Sequence, residues 1–197
     1  MSAQLLSGLA LFALVACFTP GPNNLMLLTS GVNFGLRRTV PHMTGITIGA
    51  SIIMAGVGLG LGALFQAVPL LQTVLKILCV AYILWLAWRI ARTDSIGHDA
   101  AEARPMTFTE AVTFQWVNGK LWMMAVSAVA AYTTTENYFL SLAVVVVLFA
   151  VVNIPSMLSW TLFGVALRRL LSDRRRVRIF NGVMAALLVA SLLPLLG

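Results

Sequence analysis

Of the 197 residues, 60% are apolar and only 10% are charged, and the net charge is +7. Soluble domains carry roughly 45–50% apolar and about 25% charged residues, so these proportions exclude an ordinary water-soluble domain. The positive balance does not point to nucleic acid as a partner: the eleven arginines sit at or near the ends of apolar segments, without the aromatic–basic interleaving that grips single strands.

No Asp, Glu, Lys or Arg occurs over residues 1–36, 39–75 or 137–167. Crossing about 30 Å of hydrocarbon takes roughly 20 apolar residues, and each stretch exceeds that. These segments have no charged face to turn towards water. The expected fold is therefore all-α and integral to a membrane: a six-helix bundle forming a single transmembrane domain over 1–197.

The first helix is expected over 3–34. Leu14-Val15-Ala16-Cys17 has the look of a lipoprotein processing site, but Met1-Ser2-Ala3-Gln4 lacks the basic start of a secretory signal. Cys17 is accordingly read as a small apolar residue inside the helix. An unbroken 32-residue helix would run about 48 Å, too long for an upright span. Thr19-Pro20-Gly21-Pro22 interrupts it, because proline removes an amide donor and clashes with the preceding turn.

The second helix is expected over 39–65. In it Gly45-x-x-x-Gly49 allows a neighbouring helix to approach closely. The third is expected over 70–91, followed by a polar loop. The fourth covers 108–132 and is interrupted near Asn118-Gly119-Lys120. The fifth covers 138–167 with Asn153-Ile154-Pro155-Ser156 inside it, and the sixth covers 179–196.

Arginines occupy alternate loops: Arg37 and Arg38 in the first, Arg89, Arg92 and Arg104 around the third, and Arg168, Arg169, Arg174, Arg175, Arg176 and Arg178 in the fifth. The second and fourth loops hold no Lys or Arg. The positive-inside rule then puts loops 1, 3 and 5 in the cytoplasm and both termini outside. The run Arg174-Arg175-Arg176 is read as a topology anchor, with contact to anionic lipid headgroups as the competing reading. Helices 1 and 4 each open a group of three and each is broken next to Asn. Three spans per group force the two groups into opposite orientations, which is the inverted 3+3 repeat of many secondary transporters.

Irregular backbone at membrane depth must be buried in protein or face a water-filled cavity. The break at Pro20, Gly21 and Pro22 frees carbonyls from one half-helix and exposes the amide-rich, partly positive start of the next, where Asn23 and Asn24 stand. Such an end can receive a carboxylate; the competing reading is a bent helix whose asparagines merely satisfy backbone. Lys120, with Gln115, Trp116 and Asn118, makes a polar cluster on an otherwise apolar helix. A buried ammonium faces a cavity and finds a partner, unless it snorkels to the interface along its stem. In the fifth helix, Asn153, Pro155 and Ser156 are candidates for the solute path, although Ser156 and Ser159 could simply serve carbonyls freed by the proline.

No Asp or Glu lies deep in any span, so a relay of buried carboxylates is not available. Coupling to protons falls to Lys120, to His42 or to the solute itself. Cys17 and Cys79 form neither a metal nor a disulfide pattern, and no catalytic constellation, metal or cofactor is expected.

These residues carry a family likeness. Phe18-Thr19-Pro20-Gly21-Pro22-Asn23-Asn24, Gly31, Gly35-Leu36-Arg37-Arg38, Ala81-Tyr82-Ile83-Leu84-Trp85-Leu86-Ala87-Trp88, Phe114-Gln115-Trp116-Val117-Asn118-Gly119-Lys120 and Pro155-Ser156 followed by Trp160-Thr161-Leu162-Phe163-Gly164 resemble the lysine/threonine exporter (LysE/RhtB) family of bacterial inner-membrane amino-acid exporters. The likeness covers essentially the whole chain in order. Where many relatives have Asn-Pro-Lys, this chain has Asn-Gly-Lys, which keeps the helix break and loosens the bend. The resemblance implies efflux of amino acids or close derivatives by antiport with protons, in a homodimer. A rival reading is the membrane thiol–disulfide carrier, which needs two sulfurs that can meet; a third is a non-transporting membrane subunit.

Overall fold

The computed structural model describes residues 1–61, 67–92, 104–171 and 173–192, and among these there are seven α-helices and no strand. Helix α1 (Ala3–Phe18) begins where the Ser2 hydroxyl accepts from the Leu5 amide. Helix α2 (Pro22–Gly56) begins with proline at its first position, where the missing N–H is no loss.

Within α2 the chain turns back on itself at Gly35, whose φ of 78° is a left-handed conformation that side chains resist. Nine residues of helix would separate Ser30 and Thr39 by roughly 13 Å. Their hydroxyls are instead 2.7 Å apart, so 22–34 and 36–56 are two limbs of a hairpin. The expected first loop thus shrinks to one residue. Arg37 and Arg38 lie in the first turn of the second limb, with Arg38 over the Phe34 ring at 5.4 Å. After Gly56 a π turn (Val57–Leu61) ends the limb at Gly60, also at positive φ; residues 62–65 of the expected second helix lie outside the described residues.

Helix α3 (Pro69–Ala91) carries Arg89 over Trp85, and Arg92, just past its end, over Trp88. Most of the expected third loop, 93–103, lies outside the described residues. Helix α4 (Phe108–Trp116) opens with a reciprocal cap between Thr107 and Glu110, and Glu110 also takes a bidentate ion pair from Arg104. After a break at Val117–Asn118 comes α5 (Gly119–Tyr132), then α6 (Tyr138–Arg168), which runs through Pro155. Helix α7 (Arg174–Ala190) starts five residues earlier than the expected 179, because the Asp173 carboxylate accepts from the Arg176 amide and caps it there. The arginine run is therefore helical, and 193–196 of that expected helix lie outside the described residues.

Glycines set the packing. A Cβ on Gly31 would sit 2.2 Å from the Thr161 carbonyl oxygen, and one on Gly164 would sit 2.2 Å from that of Leu28. The first limb and α6 therefore touch backbone to backbone. On the second limb, Gly45 meets the Phe108 carbonyl and Ala111, and Gly49 meets Val112 and Gln115, which is the close approach its spacing predicts. Helices α3 and α7 pack together through Ile83, Leu86, Ala185 and Leu188.

Two apolar clusters fill the interior. One, towards the arginine-bearing end, contains Met43, Ile46, Phe114 and Met157; the other contains Leu9, Ala13, Ile53, Leu121 and Phe149. The two helix breaks fall between them. Outside, large apolar side chains are bare, such as Leu11 (64% exposed), Leu70 (72%) and Phe139 (74%). An apolar exterior of this extent belongs against lipid or protein. By length and hydropathy Tyr138–Arg168 can cross a membrane; Pro22–Leu61 is also apolar, but the reversal at Gly35 divides it into two limbs.

Candidate functional site

The chain leaves helical geometry at Thr19 (φ −60°, ψ 134°) and Gly21 (φ −172°, ψ 177°) and re-enters it at Pro22. Prolines 20 and 22 have no amide to return to the preceding turn, so carbonyls of α1 must be served from elsewhere. Three side chains do so. Asn24 Nδ2 donates to the Cys17 and Thr19 carbonyls at 2.8 and 3.0 Å. Ser156 Oγ donates to the Cys17 carbonyl at 2.8 Å, and Lys120 Nζ donates to the Thr19 carbonyl at 2.6 Å.

The break in the fourth expected helix has the same construction. Asn118 caps α5, with its Oδ1 accepting from the Leu121 amide, and its Nδ2 donates to Gln115 Oε1. Gln115 is fully buried and forms a reciprocal pair with Asn23: Asn23 Nδ2 donates to Gln115 Oε1 at 2.9 Å, and Gln115 Nε2 donates to Asn23 Oδ1 at 3.3 Å. One amide pair thereby ties the two breaks together. The start of α2 differs in one respect: its cap is Gly21 and no side chain occupies its first amides.

Both half-helix starts open on a cavity of about 60 Å³. Its polar wall is Asn23, Asn24, Asn118, Lys120, Asn153 and Ser51; its apolar wall includes Met54, Leu121, Met124 and Phe149. No carboxylate is part of that lining. Lys120 is half-buried and packs over Gly21, where an added Cβ would come within 2.8 Å of its Cδ and 3.1 Å of its Nζ. With an extended φ at Gly21, the glycine is required by that lysine and not by the backbone.

The structure therefore brings Gly21, Pro22, Asn23, Asn24, Asn118, Lys120 and Asn153 to one cavity and sets five other candidates apart. Gln115 stands behind the wall and holds Asn23. Ser156 is buried on the Cys17 carbonyl rather than on a carbonyl of its own kinked helix, while Ser159 donates to Pro155 O. Pro20 and Pro155 point outwards and are exposed. His42 is buried off the cavity on the second limb. The sequence reading missed Cys17, Thr47 and Ser51 as lining residues. Cys17 had a usable signal, lying one turn before the break; the two hydroxyls had none, because their facing depends on the hairpin at Gly35. Cys17 is a free thiol. Cys79 falls on α3, with its side chain outside the described part of the structure. Among the described residues no cluster of three metal-binding side chains occurs.

A family model described as LysE type translocator matches residues 14–193. The chain belongs to the LysE-type translocator family. Within that family, the cysteine/O-acetylserine efflux protein of Escherichia coli (strain K12) is 34% identical over 193 residues, which is 96% of each chain. The protein of the same description from Shigella sonnei (strain Ss046) is likewise 34% identical over 96% of each chain, and that of Escherichia coli O139:H28 is 33% identical over the same span. No solved structure matches the chain. A LysE-type translocator is a bacterial membrane protein that exports amino-acid-like solutes, and efflux is the activity to be fitted to this cavity.

Proposed function

We propose that the chain is a proton-driven exporter of small neutral amino acids or their close derivatives, working as six spans in the bacterial inner membrane with both termini outside. The observation that carries the reading is the meeting of two half-helix starts and one lysine at a cavity without a carboxylate. The uncapped start of α2 offers amides and a positive partial charge to the solute's carboxylate. The carbonyls of Cys17 and Thr19 suit its ammonium, and Lys120 holds the Thr19 carbonyl. Lys120 thus acts as a stand-in cation, displaced when the solute's own ammonium arrives.

Charge and size narrow the solute. A lysine-like solute would bring a second cation beside Lys120 with no carboxylate to receive it, so zwitterions with neutral side chains are preferred. A cavity of about 60 Å³ suits a small solute. The named solutes of the relatives, cysteine and O-acetylserine, fall in this class.

The inverted repeat is supported by the matched breaks, each followed by a half-helix with asparagine at its cap or in its first turn. The orientation is supported by Arg37 and Arg38 at the hairpin turn and by Arg89, near the end of α3, which donates to the Arg104 carbonyl ahead of α4. Proton drive is what the family resemblance implies; with no carboxylate in the cavity lining, the coupling candidates are Lys120, which lines the cavity, and His42. A homodimer in the lipid bilayer completes the expected assembly.

Purified protein in proteoliposomes, loaded with labelled cysteine or O-acetylserine, tests the reading. Saturable exchange that unlabelled small neutral amino acids compete for, and lysine does not, is the expected result. Equal transport of lysine would sink the charge argument, and no exchange of any amino acid would sink the export reading itself.

A further inference from the structure

A second polar group lies inside the arginine-bearing half of the bundle, apart from the cavity. Asn33 Nδ2 reaches Asn181 Oδ1 at 3.4 Å and donates to the Thr29 carbonyl at 3.0 Å. Ser30, one turn before Asn33, pairs with Thr39 across the hairpin at 2.7 Å. His42 stands one turn after Thr39 on the second limb, 2% exposed. These side chains come from both limbs and from α7, and all are buried. Three of their polar atoms meet no partner among the described residues: Asn33 Oδ1 and both nitrogens of His42.

A buried polar atom without a partner is destabilising, and the His42 imidazole carries two. A purely structural position would fill at less cost with Leu or Met. His42 also has a telling place along its limb. It lies about 6 Å by helical rise from Arg38, at the hairpin end, and about 7–8 Å from Thr47, which lines the cavity. Ile46, Phe114 and Met157, all nearly fully buried, belong to the apolar cluster between the two levels. The imidazole is thus the last titratable group before the arginine-bearing end on the limb that also walls the solute cavity.

We propose that His42, with Thr39, Ser30 and Asn33, is an inner proton station. It takes the coupling proton when the apolar layer opens and returns it to water at the arginine-bearing end. The station deepens the proton-driven reading above and rests on it. The step is a proton transfer only: one N–H bond forms on the imidazole and later breaks, water carries the proton away, and nothing is oxidised or reduced. The charged and titratable groups around it are few. From α4 comes Glu110, whose charge acts on His42 and is itself paired with Arg104. From α3 comes Tyr82, which packs on Phe114 at 5.5 Å, and on the same limb stand Arg37 and Arg38. The first limb, α6 and α7 supply Ser30, Asn33, Thr161 and Asn181 to the buried polar set, none of which titrates. Neither ring nitrogen has a partner among the described residues, so a protonated imidazole needs the water that enters when the apolar layer opens.

The test separates exchange from coupled transport. Proteoliposomes carrying the full chain or His42→Gln are assayed for counterflow of labelled cysteine at equal pH, and for accumulation driven by a pH step. Retained counterflow with accumulation reduced about ten-fold, and with its dependence on pH between about 5 and 8 lost, is expected for His42→Gln. Unchanged accumulation and pH dependence would overturn the station while leaving the export reading standing, because counterflow by the full chain tests that reading separately. A variant that fails to fold does not end the matter. The chain has two histidines, His42 and His98, so imidazole ¹⁵N resonances of the unmutated protein in nanodiscs report His42 directly. A His42 signal that titrates in that range and shifts when cysteine binds supports the station. A signal that keeps one neutral form from about pH 5 to 8, with and without cysteine, overturns it.

Discussion

The helix-1 break is held by a redundant set of donors, and that redundancy makes a quantitative prediction. The Cys17 carbonyl accepts from Asn24 and Ser156, and the Thr19 carbonyl accepts from Asn24 and Lys120. Removing Ser156 alone leaves Cys17 one donor, so Ser156→Ala should cost no more than the usual membrane hydrogen bond, about 0.6–1 kcal/mol. Asn24→Ala takes one donor from each carbonyl and leaves each with another; with the volume lost, a cost of about 1–2 kcal/mol is expected. The double variant strips the Cys17 carbonyl of both side-chain donors. A buried carbonyl without a partner adds roughly 1–3 kcal/mol, so the double variant should exceed the sum of the singles by about 1 kcal/mol or more. Reversible unfolding by SDS in mixed micelles, followed by tryptophan fluorescence, measures all four corners of the cycle. Additivity within about 0.5 kcal/mol would refute the reasoning and mean that water or a relaxed backbone already serves that carbonyl.

Other expectations follow from the same geometry. Gly31→Ala and Gly164→Ala should each destabilise the fold by about 1–3 kcal/mol, because the new methyl meets backbone and not a movable side chain; unfolding midpoints that match the parent would show that the helices can part freely. Gly21→Ala should fold normally, since only the flexible end of Lys120 is in the way, and by displacing that competing lysine it should lower the half-saturating concentration in counterflow. Replacing both Cys17 and Cys79 by Ser should leave export in place; its loss would revive the thiol-carrier reading. Reporter fusions at Gly197 and within the third loop should report outside and cytoplasm respectively, and a cytoplasmic C-terminus would remove the six-span arrangement.

The parts of the fold that depend on local chemistry are legible in the sequence. The break at Pro20–Pro22 follows from missing amides, and the break at Asn118 from a capping side chain set in an apolar run. The glycine spacing at 45 and 49 announces a close helix neighbour, which is α4. What sequence alone does not convey is which distant groups meet. Ser156 looks like relief for its own proline kink, yet it donates to a carbonyl 139 residues away. Gln115 looks like a solute ligand and is instead a brace for Asn23. The single-residue reversal at Gly35 is equally hidden, because a glycine at positive φ and a glycine in a helix read alike, and Thr47 and Ser51 reach the cavity only because of that reversal.

The placement of Lys120 carries the sharpest consequence for mechanism. Its ammonium rests on the Thr19 carbonyl, the group the solute's own ammonium would need, so the two compete for one acceptor. Loading a zwitterion must therefore move the lysine off, and its new surroundings then decide whether it keeps its proton. Arginine in that place would still cover the carbonyl but would not release a proton at any accessible pH. Lys120→Arg should thus fold, bind and exchange, but it should not build a gradient, and accumulation under a pH step is the measurement. Lys120→Met removes the competitor altogether, so downhill counterflow should survive while accumulation is lost. If Lys120→Arg accumulates cysteine with the parent's pH dependence, Lys120 is a fixed charge, and the proton must be carried entirely by other groups, of which His42 is the buried one on the same solute-lining limb.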